Sequence, residues 1–200
     1  MSQQIEVTLR AVTPLFLNGA DNQTPELRAP SFRGVLRFWL RALLGAQVGD
    51  NTKSLYARES RVFGNTTTGS PVVVRVSAPD GLAISSRRML PHSTQKDFAN
   101  RAIEERSCID LTLASRIGMP KIPDEALAAL LMLISFGGVG KRSRRGFGSL
   151  QPIDVRASDL PVDVNTLLSA TPADGTALAA HLGQVLTRAQ ALCGGTGGGA

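Results

Sequence analysis

The residues best equipped to do chemistry stand together in one stretch, Gly137-Gly138-Val139-Gly140-Lys141-Arg142-Ser143-Arg144-Arg145-Gly146-Phe147-Gly148-Ser149-Leu150, which holds five glycines, four cations and no acid. A guanidinium meets a phosphate with two parallel N–H donors, and a loop glycine admits a ligand or another backbone closely. The chemistry this suits is binding of a phosphate-bearing polymer. Nucleotide hydrolysis is not implied: a Walker loop runs from strand to helix and needs glycine at 135 and serine or threonine at 142, where Ser135 and Arg142 stand. Here an apolar helical run, Ala126 to Phe136, comes first and a strand-like run follows. The dinucleotide fingerprint fails at Ser143, where its third glycine belongs. On residue types alone, the alternative is a solvated basic hairpin that discourages aggregation.

A second set of cations recurs every fourth residue: Arg33, Arg37 and Arg41 follow Ser31, which reads as a helix N-cap. At that spacing the three guanidiniums share one helix face, and the helix N-terminus offers free N–H groups to an anion. Such a column carries like-charge repulsion that an RNA backbone would relieve; an ordinary solvated face is the alternative. The chain has only two histidines, His92 and His181, and no Cys/His/Asp cluster at metal-ligand spacing, so neither a metal nor another cofactor is expected.

The net charge of +6 is unevenly spread. Residues 1–150 hold 20 Lys and Arg against 12 Asp and Glu, whereas 151–200 hold 2 against 4. A pI near 10 suits nucleic acid or an anionic membrane surface without choosing between them. With 42% apolar residues the chain can build a packed core. Two cysteines, Cys108 and Cys193, with neither a signal peptide nor an 18-residue apolar span, point to a cytoplasmic protein with no membrane partner.

The elements that must position these residues read in order. Ile5, Val7 and Leu9 alternate with polar residues as a first strand; Phe32 to Gly45 is a helix carrying Leu36, Leu40, Leu43 and Leu44, with Trp39 expected to be largely buried. Lys53 to Phe63 adds a short helix and Val72 to Val76 a second strand. Arg87, Arg88 and His92 fall in a basic loop or hairpin arm, and Lys96 to Arg106 has helical composition. Ile109 to Leu113 alternates as a third strand, Asp124 to Ser135 is the second main helix, and Phe147 to Arg156 the fourth strand. The order is βαββαβ, an α+β, ferredoxin-like (RRM-like) arrangement with insertions. It occupies residues 1–156, and an accessory tail, 157–200, carries one helix from Ala173 to Leu192 and a glycine-rich end. The strands lack the aromatics of a stacking RRM face, which leaves RNA to loops and a helix.

The glycine- and arginine-rich loop before the last strand resembles the signature of the RAMP superfamily, CRISPR RNA-binding proteins built on ferredoxin-like units. Upstream, Thr13-Pro14-Leu15-Phe16-Leu17-Asn18-Gly19-Ala20-Asp21 and the run from Pro25 to Trp39 are similar to the RAMP subunit that caps one end of the Cmr (type III-B) effector. The resemblance covers about residues 5 to 155; it implies one RAMP unit, where that subunit usually carries two. It also implies a non-catalytic subunit that binds CRISPR RNA, or its duplex with target RNA, and contacts neighbouring RAMP subunits. The expected RNA-binding residues are Arg28, Ser31, Arg33, Arg37, Arg41, Gly138, Gly140, Lys141, Arg142, Ser143, Arg144, Arg145 and Gly146. Guides differ in sequence, so such contacts must read phosphate and shape. Two rivals stand beside this reading: a metal-independent CRISPR RNA-processing endonuclease using His92, and a protein assembly adaptor whose basic loop meets an acidic surface. Asp21 lies near where filament-forming RAMP subunits place a cleavage-supporting aspartate, but its surroundings suit a turn carboxylate.

Overall fold

A computed structural model describes residues 3–21, 23–89 and 99–194. The first strand, β1 (Gln4–Ala11), buries Ile5, Val7, Leu9 and Ala11 and turns Glu6, Thr8 and Arg10 to the other face, as its alternation requires. Helix α1 (Ala29–Val48) and helix α2 (Thr52–Phe63) follow, then β2 (Val72–Ser77), β3 (Ile84–Arg88), β4 (Ala99–Ile103) and β5 (Cys108–Ser115). Helix α3 (Asp124–Phe136), a single 3-10 turn (Ser143–Arg145), β6 (Leu150–Ala157), α4 (Val162–Ser169) and α5 (Gly175–Gly194) complete the order.

Four strands form one antiparallel sheet in the order β2-β5-β1-β6, with Val7 opposite Leu111 on one side and Val155 on the other. Strands β3 and β4 pair separately as a two-stranded arm that returns to the body where Leu15 bridges Ile103. Helices α1 and α3 pack together over the apolar face. Residues 126–134 of α3 are all buried, because sheet, α1 and α5 leave this helix no wet side. The other sheet face is polar: the Thr8 hydroxyl donates to Asp110 at 2.7 Å, and Arg156 pairs with Glu6 and Asp154 at 3.3 and 3.0 Å.

Several expectations are corrected. Arg28, not Ser31, is the N-cap of α1; Pro30 sits in the first turn, where its missing N–H costs nothing, and Ser31 donates its own N–H to the Arg28 carbonyl. The stretch from Ala99 to Ile103 is a strand rather than part of a helix, held by β3, and the left-handed Arg106 turns the chain into β5. Strand β6 opens at Leu150 instead of Phe147, since Gly146 and Gly148 hold left-handed conformations that interrupt an extended run. The tail holds a helix not anticipated, α4, and α5 adds Val185, Ala189, Leu192 and Cys193 to the common core. Trp39 is half-buried, packed on the core's edge. Both cysteines are free, and burial, reinforced by Glu125 and opposed by Arg58, pushes the Cys193 thiol up to about 12.

The arginine column is not unrelieved. Glu59 of α2, its side chain only 5% exposed, accepts from Arg37 Nε and from Arg41 Nη1 at 3.1 Å, and Arg33 donates to the Val72 carbonyl at 3.4 Å. These ties dock α2 and the start of β2 against α1. Glu59→Ala should therefore lower stability by about 1–2 kcal/mol, less than for a fully buried pair because both arginines keep access to water. Urea unfolding at unchanged m-value is the measurement, and an unaltered midpoint would remove Glu59 from the fold's supports.

Candidate nucleic-acid interface

The loop after α3 is shaped by the protein's own backbone. Gly148, at φ +67, lies so near Val139 that an added Cβ would stand 1.9 Å from the Val139 carbonyl oxygen. Gly140, at φ +97, would place a Cβ 2.8 Å from the Phe16 carbonyl oxygen. Hydrogen bonds close the same contacts: Val139 N to Gly148 O at 2.9 Å, Lys141 N to Phe16 O at 2.9 Å and Gly148 N to Pro14 O at 3.0 Å. The glycines thus clamp the loop onto the segment leaving β1, and Phe147 meets Phe16 edge-on with ring centres 5.1 Å apart. Thr13 to Asp21 and the glycine loop, far apart in sequence, are neighbours in space.

The clamp raises the cations outward. Lys141, Arg144 and Arg145 are exposed and Arg142 half-buried. No carboxylate among the described residues pairs with any of the four, whereas Arg37, Arg41, Arg87, Arg156 and Arg188 are all paired. Gly140, Arg142, Ser143, Arg144 and Arg145 line a concavity of about 430 Å³. Ser143 and Arg144 also border a cleft of about 600 Å³ whose walls include Val35, Phe38, Trp39 and Phe136. Phe38 and Phe136 are 46% and 40% exposed, and Trp39 makes ring contacts with both, at 5.4 and 6.3 Å between centres. A basic concavity next to an aromatic cleft can hold a nucleic-acid backbone and an unstacked base side by side.

The expected single site therefore divides. The loop meets α1 at Gly34, Val35, Phe38 and Trp39, whereas Arg33, Arg37 and Arg41 lie on the other flank, turned to β2 and α2. Arg28 stands 4.0 Å from Glu26, and Ser31 lies inside the first turn of α1. Gly138 and Gly140 face the protein's own backbone, while Gly146 opens to solvent. His92 falls outside the described residues. Sequence reading missed the cleft because it expected Trp39 in the core and gave Phe38 no role of its own; Phe38 lies off the leucine stripe of α1, which was the available signal.

Asp21 proves to be a turn carboxylate. Its side chain accepts from the Thr24 hydroxyl and from the Gln23 and Thr24 amides, and these bonds, the hydroxyl first, lower its carboxyl to about 2. Among the described residues no group of three His, Cys, Asp or Glu side chains could hold a metal ion, and no helix is long and apolar enough to cross a membrane.

A mixed α+β chain with an antiparallel sheet, a helix layer and a glycine-clamped basic loop is the form of a RAMP protein, and the chain belongs to the RAMP superfamily, whose family model matches residues 8–151. It is 32% identical over 171 residues to the CRISPR system Cmr subunit Cmr1-2 of Pyrococcus furiosus, across 72% of this chain and 91% of that one. The apo crystal structure of Cmr1 from Pyrococcus furiosus superposes with a TM-score of 0.70 at 26% identity, over 96% of this chain and 60% of that chain. A chain of a type III-B Cmr-beta structure bound to cognate target RNA gives a TM-score of 0.72 at 16% identity, over 94% of this chain and 62% of the other, a likeness of fold. The chain thus spans about three fifths of these solved chains.

The lowered carboxyl carries a prediction. The hydrogen bonds favour the ionised form, so whatever Asp21 contributes to the turn is complete above its ordinary value near 3.8 and is lost as pH falls through about 2. Asp21→Ala should speed hydrogen exchange at the Gln23 and Thr24 amides and leave RNA affinity unchanged; a loss of affinity would bring the turn into the interface.

Proposed function

We propose that this chain is a non-catalytic RNA-binding subunit of a type III CRISPR effector, holding CRISPR RNA or its duplex with target RNA through backbone contacts and packing against neighbouring RAMP subunits. In this reading residues 1–156 form a ferredoxin-like RAMP unit, its βαββαβ order interrupted by α2 and the β3–β4 arm, and 157–200 are accessory. The sheet order, with the first and last strands adjacent, supports that reading. So do the names of relatives: a Cmr subunit by sequence, and a type III-B complex with target RNA by fold.

The observation that carries the function is the density of unpaired cations on one loop. The loop cations 141, 142, 144 and 145, four within five positions, have no carboxylate partner among the described residues, whereas other exposed arginines without one, such as Arg61, Arg75 and Arg116, are scattered along the chain. A cation left unpaired on a rigidly clamped loop is available to an external polyanion. Ser143 and Arg144 join that surface to the aromatic cleft, where a base can lie against Phe38 and Trp39. Of the expected set, Lys141, Arg142, Ser143, Arg144 and Arg145 form the contact surface; Gly138, Gly140 and Gly146 shape it. Arg37 and Arg41 belong to it only at its margin, because Glu59 already neutralises part of their charge.

Arg144→Ala and Arg145→Ala should each weaken binding of unrelated single-stranded RNAs about equally, by roughly 1–2 kcal/mol, and lower the log-log salt slope by about 0.7. Arg37→Ala should show in stability more than in the slope. Trp39 is the only tryptophan, so its fluorescence reports the cleft directly and should change on RNA addition. Loop variants that bind RNA with the wild-type affinity and slope, yet no longer associate with a RAMP partner, would replace this function by that of an assembly adaptor.

A further inference from the structure

We propose that this chain pairs with a second copy of itself through the end of the sheet opposite the glycine loop, with Ile117, Met119 and Val162 at the centre of the contact. Such pairing does not depend on the RNA-binding reading of the loop. Ile117 and Val162 are 97% and 82% exposed, the two most exposed large apolar side chains among the described residues, and Met119 is 47% exposed. Apolar residues scattered singly over a surface need no partner, but these are gathered at one end. In the register of the sheet, β5 and β6 both finish where β1 begins, with Gln4 opposite Ala114 and Ile5 opposite Ala157. Gln3 joins the segments that follow. Its buried side chain accepts from the Ile122 amide at 2.6 Å and donates to the Asp159 carbonyl at 2.8 Å, while its own carbonyl accepts from the Ser115 amide at 2.9 Å. The segment that carries Ile117 and the one that leads into α4 are thus fixed one side chain apart, and the glycine loop enters β6 at the far end.

Ile117 is held out by a closed turn. The Met119 amide donates to the Arg116 carbonyl at 2.8 Å, Gly118 takes φ +89, and the Arg116 amide ties the turn to the Pro71 carbonyl, also at 2.8 Å. A polar residue would close the same turn with less apolar surface left in water, so the geometry does not ask for isoleucine at the tip. The surrounding charges select the occupant. Lys121 is paired with Asp124 at 3.3 Å and Asp163 with Arg188 at 2.7 Å, whereas Arg116 and Asp159 are exposed and have no ion-pair partner among the described residues. These two lie on opposite sides of Gln3, the Arg116 guanidinium over Gly69 toward β2 and Asp159 beyond β6. A two-fold axis near Gln3 sets Ile117 of one copy against Val162 of the other, and Arg116 of one against Asp159 of the other. An apolar patch with a cation on one flank and an anion on the opposite flank is complementary to itself, as an isologous contact requires. Both glycine loops then face outward, clear of the contact.

Sedimentation velocity of the full chain from about 1 to 100 μM should show a monomer–dimer equilibrium. Ile117→Ser and Val162→Ser should each weaken it roughly tenfold and leave the melting temperature as in wild type, whereas Tyr56→Ser, at an exposed aromatic on α2, should leave it unchanged. Asp159→Asn, which suits the left-handed backbone at 159, should weaken pairing without lowering the melting temperature. Arg116→Asp and Asp159→Lys should each abolish pairing alone, and an equimolar mixture of the two should restore it, because every charge contact across the axis is then again between opposite signs. A wild type that stays monomeric over this range overturns the proposal, and so does a dimer indifferent to Ile117→Ser and Val162→Ser. A mixture that pairs no better than either charge variant alone overturns the two-fold arrangement. A monomeric chain that captures another RAMP subunit through Ile117 and Val162 overturns the second copy as occupant and gives the surface to that subunit. RNA affinity, measured on the same variants, judges the loop separately, since none of these residues lies on it.

Discussion

The contact on which the rest of the structure depends is the backbone-to-backbone approach of Gly148 to Val139, too close for any side chain, together with the bonds from Gly148 and Lys141 to Pro14 and Phe16. It ties the loop to the exit of β1, and β1 is held on both sides by β5 and β6 at the middle of the core. The four cations therefore ride on a frame tied to an inner strand of the sheet. Little ordering entropy has to be lost when a polyanion binds such a loop, in contrast to a basic tail.

That frame also explains how the charge of the chain is used. Positive charge is spread along residues 1–150; two of its arginines, Arg37 and Arg41, are neutralised by Glu59 on one flank of α1, and Arg156, beyond that stretch, is paired on the open sheet face. The densest run of cations without a carboxylate partner among the described residues is the loop's, next to the aromatic cleft. A long-range field attracts any polyanion, and the unpaired guanidiniums decide where it settles. Asp21, in the turn that follows the segment on which the loop packs, is lowered to about 2 by its own turn, which makes it a weak base near neutrality.

Helix α1 shows one element serving two purposes. Its leucines fill the core, its arginine flank docks α2 through a buried carboxylate, and its opposite flank supplies Val35 and Trp39 to the cleft. Arg37 and Trp39 are two residues apart and so point roughly 160° away from each other round the helix, which puts them on opposite flanks.

What the sequence alone determined was whatever short-range patterning controls. Alternation marked β1 and β5, a β-branched run marked β2, apolar runs marked α1 and α3, and the glycine-arginine composition marked the loop and the family, because period and composition are local properties. Local signals did not reach α4, the strand β4 or the true cap of α1, whose identities depend on what packs against them, and they offered Arg87 and Arg88 only as a basic loop or hairpin arm. Tertiary structure decided the site. Whether an arginine is free or paired depends on a carboxylate 18 to 22 positions away, as for Glu59 with Arg41 and Arg37. Whether an aromatic is core or cleft depends on where α3 ends, as Phe136 does for Trp39. Long-range packing assigns electrostatic partners and surface exposure, and neither is written in the spacing of residues along the chain.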